Sequence, residues 1–114
     1  QLLEQQWSDA TSSTRGQILG VSQGFSYAWD ASKPIGARVI AESMRINGAS
    51  MQPELQYRVT ANSFVAAGSE GLTTFRDGRD RQVSVLDLDA LVEFLTAKSP
   101  YQPPAVGSRI RRLN

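Results

Sequence analysis

The chain has 114 residues, 40% of them apolar and 20% charged, and 12 Lys and Arg against 11 Asp and Glu leave a net charge of +1. That length suits one compact domain; the composition excludes disorder of the whole, and the balanced charge gives no basis for a nucleic-acid or anionic-membrane partner. Neither cysteine nor histidine occurs, which excludes a disulfide framework, a thiolate zinc site, a thiol nucleophile and the usual general base near neutral pH. Carboxylates alone retain the capacity to hold Ca²⁺ or Mg²⁺. No apolar run is long enough to span a bilayer, and no signal peptide is visible. Because the chain opens on Gln1 and not on Met, further sequence is expected upstream.

In chain order, residues 2–7 read as the end of a helix and the polar stretch 8–16 as a loop. A strand pattern runs through 18–30, where Phe25, Tyr27 and Trp29 alternate onto one face. Such a stripe either lines a groove or forms the buried face of a sheet, and the second is the commoner use. Lys33-Pro34-Ile35-Gly36 is a turn, and 38–46 a second strand with Ile40, Met44 and Ile46 on one face. Asn47-Gly48 predicts a hairpin turn.

Beyond Pro53, residues 57–62 show the cleanest alternation in the chain, with Tyr57, Val59 and Ala61 opposed to Arg58, Thr60 and Asn62. A helical turn is expected at 63–67, a small-residue loop at 68–71 and a return to the sheet at 72–75. A charged turn follows at 76–81. The clearest helix covers 88–97, where Leu88, Leu91, Val92 and Leu95 make an amphipathic stripe. Asp87 is the expected N-cap, and Leu86 is placed to pack on Leu91. Pro100, Pro103 and Pro104 stop the helix, and Arg109, Arg111 and Arg112 read as a solvated tail. The sum is a single α+β domain, a mixed β-sheet with a few helices.

The loop from Asn62 to Gly71 is the candidate site. A ring and a carboxylate, Phe64 and Glu70, flank its turn. A ring can stack on a nucleobase and a carboxylate can accept hydrogen bonds from sugar hydroxyls. The alternative is a core ring and a solvated loop charge. The glycines are wrongly spaced for a phosphate loop. Asp77, Asp80, Asp87 and Asp89 are scattered like a metal cluster, yet turn and helix-start roles explain them. No residue is assigned to catalysis and none to a metal.

The order of these pieces resembles the C-terminal domain of the 5'-nucleotidase family. It runs through Leu19-Gly20-Val21-Ser22-Gln23-Gly24-Phe25, Tyr27-Ala28-Trp29-Asp30 and Lys33-Pro34-Ile35-Gly36-Ala37-Arg38-Val39. It continues through Ile46-Asn47-Gly48, Tyr57-Arg58-Val59-Thr60 and Asn62-Ser63-Phe64-Val65-Ala66-Ala67-Gly68, and ends in Leu86-Asp87-Leu88-Asp89-Ala90-Leu91-Val92 and Ser99-Pro100. The resemblance implies part of a substrate-binding domain, with a metallophosphoesterase domain upstream that binds two divalent metal ions; no cofactor is expected in this chain itself. It implies an extracytoplasmic parent hydrolase, a nucleotide or nucleoside substrate, and the chain's own N-terminal catalytic domain as partner. No nucleic acid and no membrane contact by this segment are expected.

Residue by residue, Phe64 falls where the family has its second base-stacking ring, and Glu70 where it has a ribose-binding Asp. The resemblance places the first ring and the phosphate-binding Arg and Asn residues in sequence expected before residue 1. The family's Gly-Gly-Asp-Gly appears here as Gly68-Ser69-Glu70-Gly71. Glu70 is a methylene longer than Asp, and Ser69 stands at a position where a glycine suits an unusual backbone. A non-catalytic structural or interaction module that keeps the fold is the other reading of that departure.

Overall fold

A computed structural model describes residues 1–7 and 18–114. The loop expected at 8–16 lies outside the described residues. Alternating aromatics at 25, 27 and 29 form β1, Phe25–Trp29, which is narrower than the pattern over 18–30. Gly24, at φ 95°, ends the preceding turn, in which Phe25 N donates to Ser22 O at 3.2 Å. The left-handed backbone and the approach of Asn47 both require glycine there, since a Cβ would stand 2.4 Å from Asn47 Oδ1.

The second strand, β2, is Val39–Ile46 and pairs antiparallel with β1. The register pairs Phe25 with Ile46 and Ser26 with Arg45, then jumps to Ala28 with Ile40. That bulge removes a backbone acceptor, and the Ser43 hydroxyl replaces it by accepting from Ala28 N at 2.7 Å. Asn47 and Gly48, at φ 49° and 83°, turn β2 into β3, Ala49–Ser50, as the dipeptide predicts.

The last strand, β4, is Ile110–Arg112, and it lies parallel to β1, with Tyr27 opposite Ile110 and Trp29 opposite Arg112. The basic segment expected as a solvated tail is therefore a sheet edge. The order β3-β2-β1-β4 makes a mixed four-stranded sheet, and with the helices it gives the expected α+β domain.

The core sits where a 3₁₀ helix, η1 (Leu2–Trp7), covers β1. Trp7 is 2% exposed and its ring lies 5.1 Å from that of Trp29. The guanidinium of Arg38 covers Trp7, and that of Arg112 covers Trp29, at 5.6 and 5.3 Å from the ring centroids. Tyr27 is buried beside Gln6, whose Nε2 donates to its hydroxyl at 3.3 Å. Gln6 Oε1 accepts from Leu19 N at 2.6 Å, and Glu4 Oε1 accepts from Val39 N. Side chains of η1 thus take up backbone donors that no strand serves. The aromatic stripe is the buried face of a sheet, half-buried at both ends.

Two expected strands are absent. Residues 57–62 carry no regular structure, and all but the half-buried Tyr57 are exposed. Alternation supplies a face but no ladder partner, and the Tyr57 hydroxyl accepts instead from nearby Gln52 N at 2.7 Å. Residues 72–75 do not return to the sheet; a 3₁₀ helix, η3, forms at Thr73–Asp77. The helix expected over 88–97 is α2, Asp87–Lys98, but Asp87 is its first helical residue and not its cap. Leu86 holds the cap position with an extended backbone, and the Asp87 carboxylate accepts from Leu88 N at 2.9 Å. No residue of α2 is buried.

Candidate functional site

The segment from Asn62 to Asp77 is built as three short turns in succession. Asn62, with extended backbone, stops the preceding segment, and its Oδ1 accepts from Val65 N at 2.8 Å. That cap starts α1, Ser63–Ala66, as the sequence predicts. Gly68 ends it in the left-handed region at φ 81°, where its N–H donates to Val65 O at 2.9 Å. The 3₁₀ turn Ser69–Gly71, η2, follows, and Leu72, 4% exposed, anchors the run before η3.

Phe64 sits on the first turn of α1 and is 61% exposed. Its ring is therefore not part of the core formed by the described residues. Glu70 is also exposed, on η2, with φ 57° and ψ 32°. Left-handed backbone costs a residue with a Cβ about 1 kcal/mol. The sequence placed the unusual conformation at Ser69. In the structure the positive φ angles fall on Gly68, Glu70 and Gly71, and Ser69 keeps ordinary backbone. The Ser69 substitution is thus conformationally free, and any strain belongs to the carboxylate-bearing residue.

Distant residues hold this segment in place. Gln5 of η1 donates through Nε2 to Thr73 Oγ1 at 2.7 Å and accepts from Thr74 N at 3.0 Å. Arg76 Nε donates to Ala67 O at 2.9 Å, and Arg81 Nη2 donates to the carbonyls of Phe75 and Arg76 at 3.1 and 3.0 Å. Neither Gln5 nor Arg76 was marked by the sequence. Both act across folded distance, and no spacing rule reports such a contact.

The other candidates are not drawn to the site. Among the described residues no group of three or more acidic side chains converges as metal ligands, so Asp77, Asp80, Asp87 and Asp89 form no centre. A shallow, open depression of about 470 Å³ lies elsewhere, between Gln23–Gly24 and a wall of Tyr101, Pro104 and Arg109. The perturbed ionisations belong to the scaffold. Burial pushes the Tyr27 hydroxyl up, and its hydrogen bond from Gln6 opposes that. Asp30 is held down at about 2, first by the Ser32 hydroxyl at 2.6 Å, then by the Asn114 amide at 3.0 Å and the Ser32 N–H at 2.8 Å.

Known proteins resemble this chain over about three quarters of its length. An apyrase of Tabanus yao is 29% identical over 92 residues, which is 75% of this chain and 17% of that protein. A 5'-nucleotidase-related protein of Glossina morsitans morsitans is 30% identical over 91 residues, 74% of this chain and 16% of the relative. The chain therefore spans about a sixth of the length of these relatives. Residues 1–77, which contain β1 to β3, Phe64, Glu70 and the turns that carry them, match the family described as 5'-nucleotidase, C-terminal domain. The chain belongs to the family of 5'-nucleotidase C-terminal domains.

Proposed function

We propose that this chain is the nucleoside-recognition segment of an extracytoplasmic 5'-nucleotidase-type phosphohydrolase. Phe64 stacks on the base, and Glu70 accepts hydrogen bonds from the ribose hydroxyls. The observation that carries this reading is the joint exposure of the two side chains on successive turns of one braced segment. A carboxylate-bearing residue on left-handed backbone is a strained feature of the kind that clusters at ligand sites. Hydrolysis belongs to a metallophosphoesterase domain elsewhere in the parent protein. The two divalent ions of such a domain would be held there.

In the full-length protein that carries this chain, Phe64→Ala is expected to raise KM for AMP about 5- to 150-fold, the equivalent of one lost stacking contact. Unchanged KM and kcat would show the stacking role to be wrong.

A second reading rests on the departure at Gly68-Ser69-Glu70-Gly71 from the family's run, as suits a module that keeps the fold without binding nucleotide. Titration of the full-length protein with AMP separates the two, since the second reading expects no saturable binding that depends on Phe64.

A further inference from the structure

Arg76 stands outside the pair of residues that would touch a nucleoside, yet its side chain meets the turn between them. Its Nε donates to the carbonyl of Ala67, the residue that closes α1 directly behind Phe64. Its stem also fills the space beside Gly68. A Cβ at Gly68 would stand 2.6 Å from Arg76 Nε, 3.1 Å from Cγ and 3.2 Å from Cδ. Gly68 is thus glycine for two independent reasons, its left-handed backbone and the side chain lying against it.

The base from which Arg76 reaches is itself fixed. Gln5 bonds the first two residues of η3, and Arg81 takes the carbonyls of Phe75 and Arg76 at its end. A chain of contacts therefore runs from η1 through η3 and Arg76 to the junction of α1 and η2. That junction fixes where Phe64 and Glu70 stand relative to each other. A turn with three left-handed residues in four positions, Gly68, Glu70 and Gly71, gains little from its own backbone preferences, so an outside brace decides its shape.

We infer that Arg76 is a positioning residue for the nucleoside site, locking the turn from Gly68 to Gly71 against the end of α1. This rests on the reading of Phe64 and Glu70 given above. The brace sets the distance between ring and carboxylate and makes no contact with substrate. Its loss acts on binding more than on turnover, because base and ribose are held alike in ground and transition states.

The test uses the full-length protein as wild type, Arg76→Ala, Arg76→Met and Phe64→Ala, with two readouts. Amide hydrogen exchange at Gly68 and Leu72, whose N–H groups bond Val65 O and Ser69 O, reports the turn without any nucleotide. In Arg76→Ala these two amides exchange faster, while the amides of β1 and β2 keep their wild-type rates. Steady-state kinetics with AMP then show KM raised about tenfold at nearly constant kcat. Arg76→Met, which keeps an apolar stem beside Gly68 but removes the Nε–H that Ala67 O accepts, reproduces both changes and supplies the answer if Arg76→Ala folds poorly. Wild-type exchange at Gly68 and Leu72 in both Arg76→Ala and Arg76→Met overturns the inference whatever KM does. Faster exchange with unchanged KM also overturns it. If Phe64→Ala leaves KM unchanged as well, the nucleoside reading falls separately.

Discussion

β1 and α2 each carry a clear periodic pattern, and their fates differ. The stripe of β1 meets a counterface: Trp7 from η1 lies on Trp29, Gln6 serves Tyr27, and Tyr27 is buried. The stripe of α2 meets none among the described residues, and Leu88, Leu91, Val92 and Leu95 remain 39–64% exposed. Each pattern set the local backbone correctly. Period alone does not supply the opposite wall, which here comes from residues far away in sequence. An apolar stripe is a requirement for a neighbour and not a description of one.

That contrast can be tested by removing apolar atoms from each side. Trp7→Ala takes the covering ring off β1 and is expected to cost about 3–5 kcal/mol, read as a shift of the urea midpoint at constant m-value. A result under about 1 kcal/mol would mean that η1 does not cover the sheet in solution. Leu72→Ala, at a position 4% exposed, should cost about 2–5 kcal/mol by the same measure. Acid gives a smaller loss on the β1 side. Asp30 is held at about 2, below its ordinary 3.8, so its contribution is present above that ordinary value and disappears as pH falls from about 4 towards 2. Asp30→Asn removes this part of the acid sensitivity. Equal losses in wild type and variant between about pH 5 and pH 2 would contradict the bonds to Ser32 and Asn114. The smallest effect is Leu91→Ala on α2, expected to cost less than about 1 kcal/mol because half the side chain is already in water. A cost as large as that at Leu72 would mean that the helix is covered after all.

How much could be read beforehand follows the same division. Features set by neighbouring residues were legible: the Asn47-Gly48 turn, the helical turn that became α1, and the span of α2. Features set by distant partners were not. Residues 57–62 alternate as well as β1 does, yet no strand edge is offered to them and they stay irregular. Arg109, Arg111 and Arg112 look like a solvated tail, but the open side of β1 makes a strand of Ile110–Arg112. Thr73 and Thr74 favour a strand by composition, and Gln5 holds them in a 3₁₀ turn. At the candidate site, the resemblance picked out Phe64 and Glu70. The brace through Arg76 lay outside its reach, because it depends on contacts made only in the folded chain.

The parallel pairing of β4 with β1 bears on the order in which the molecule assembles. The β2–β3 hairpin closes over two residues and β1 joins β2 across a short connection, whereas Asn114 meets Asp30 across 84 positions. Loop closure over such a distance delays the last strand relative to the hairpins. Until it docks, one side of β1 presents unpaired N–H and C=O groups beside exposed aromatic rings, an invitation to pair with another chain. The short basic strand covers that edge, and its arginines place charge on the edge that replaces it.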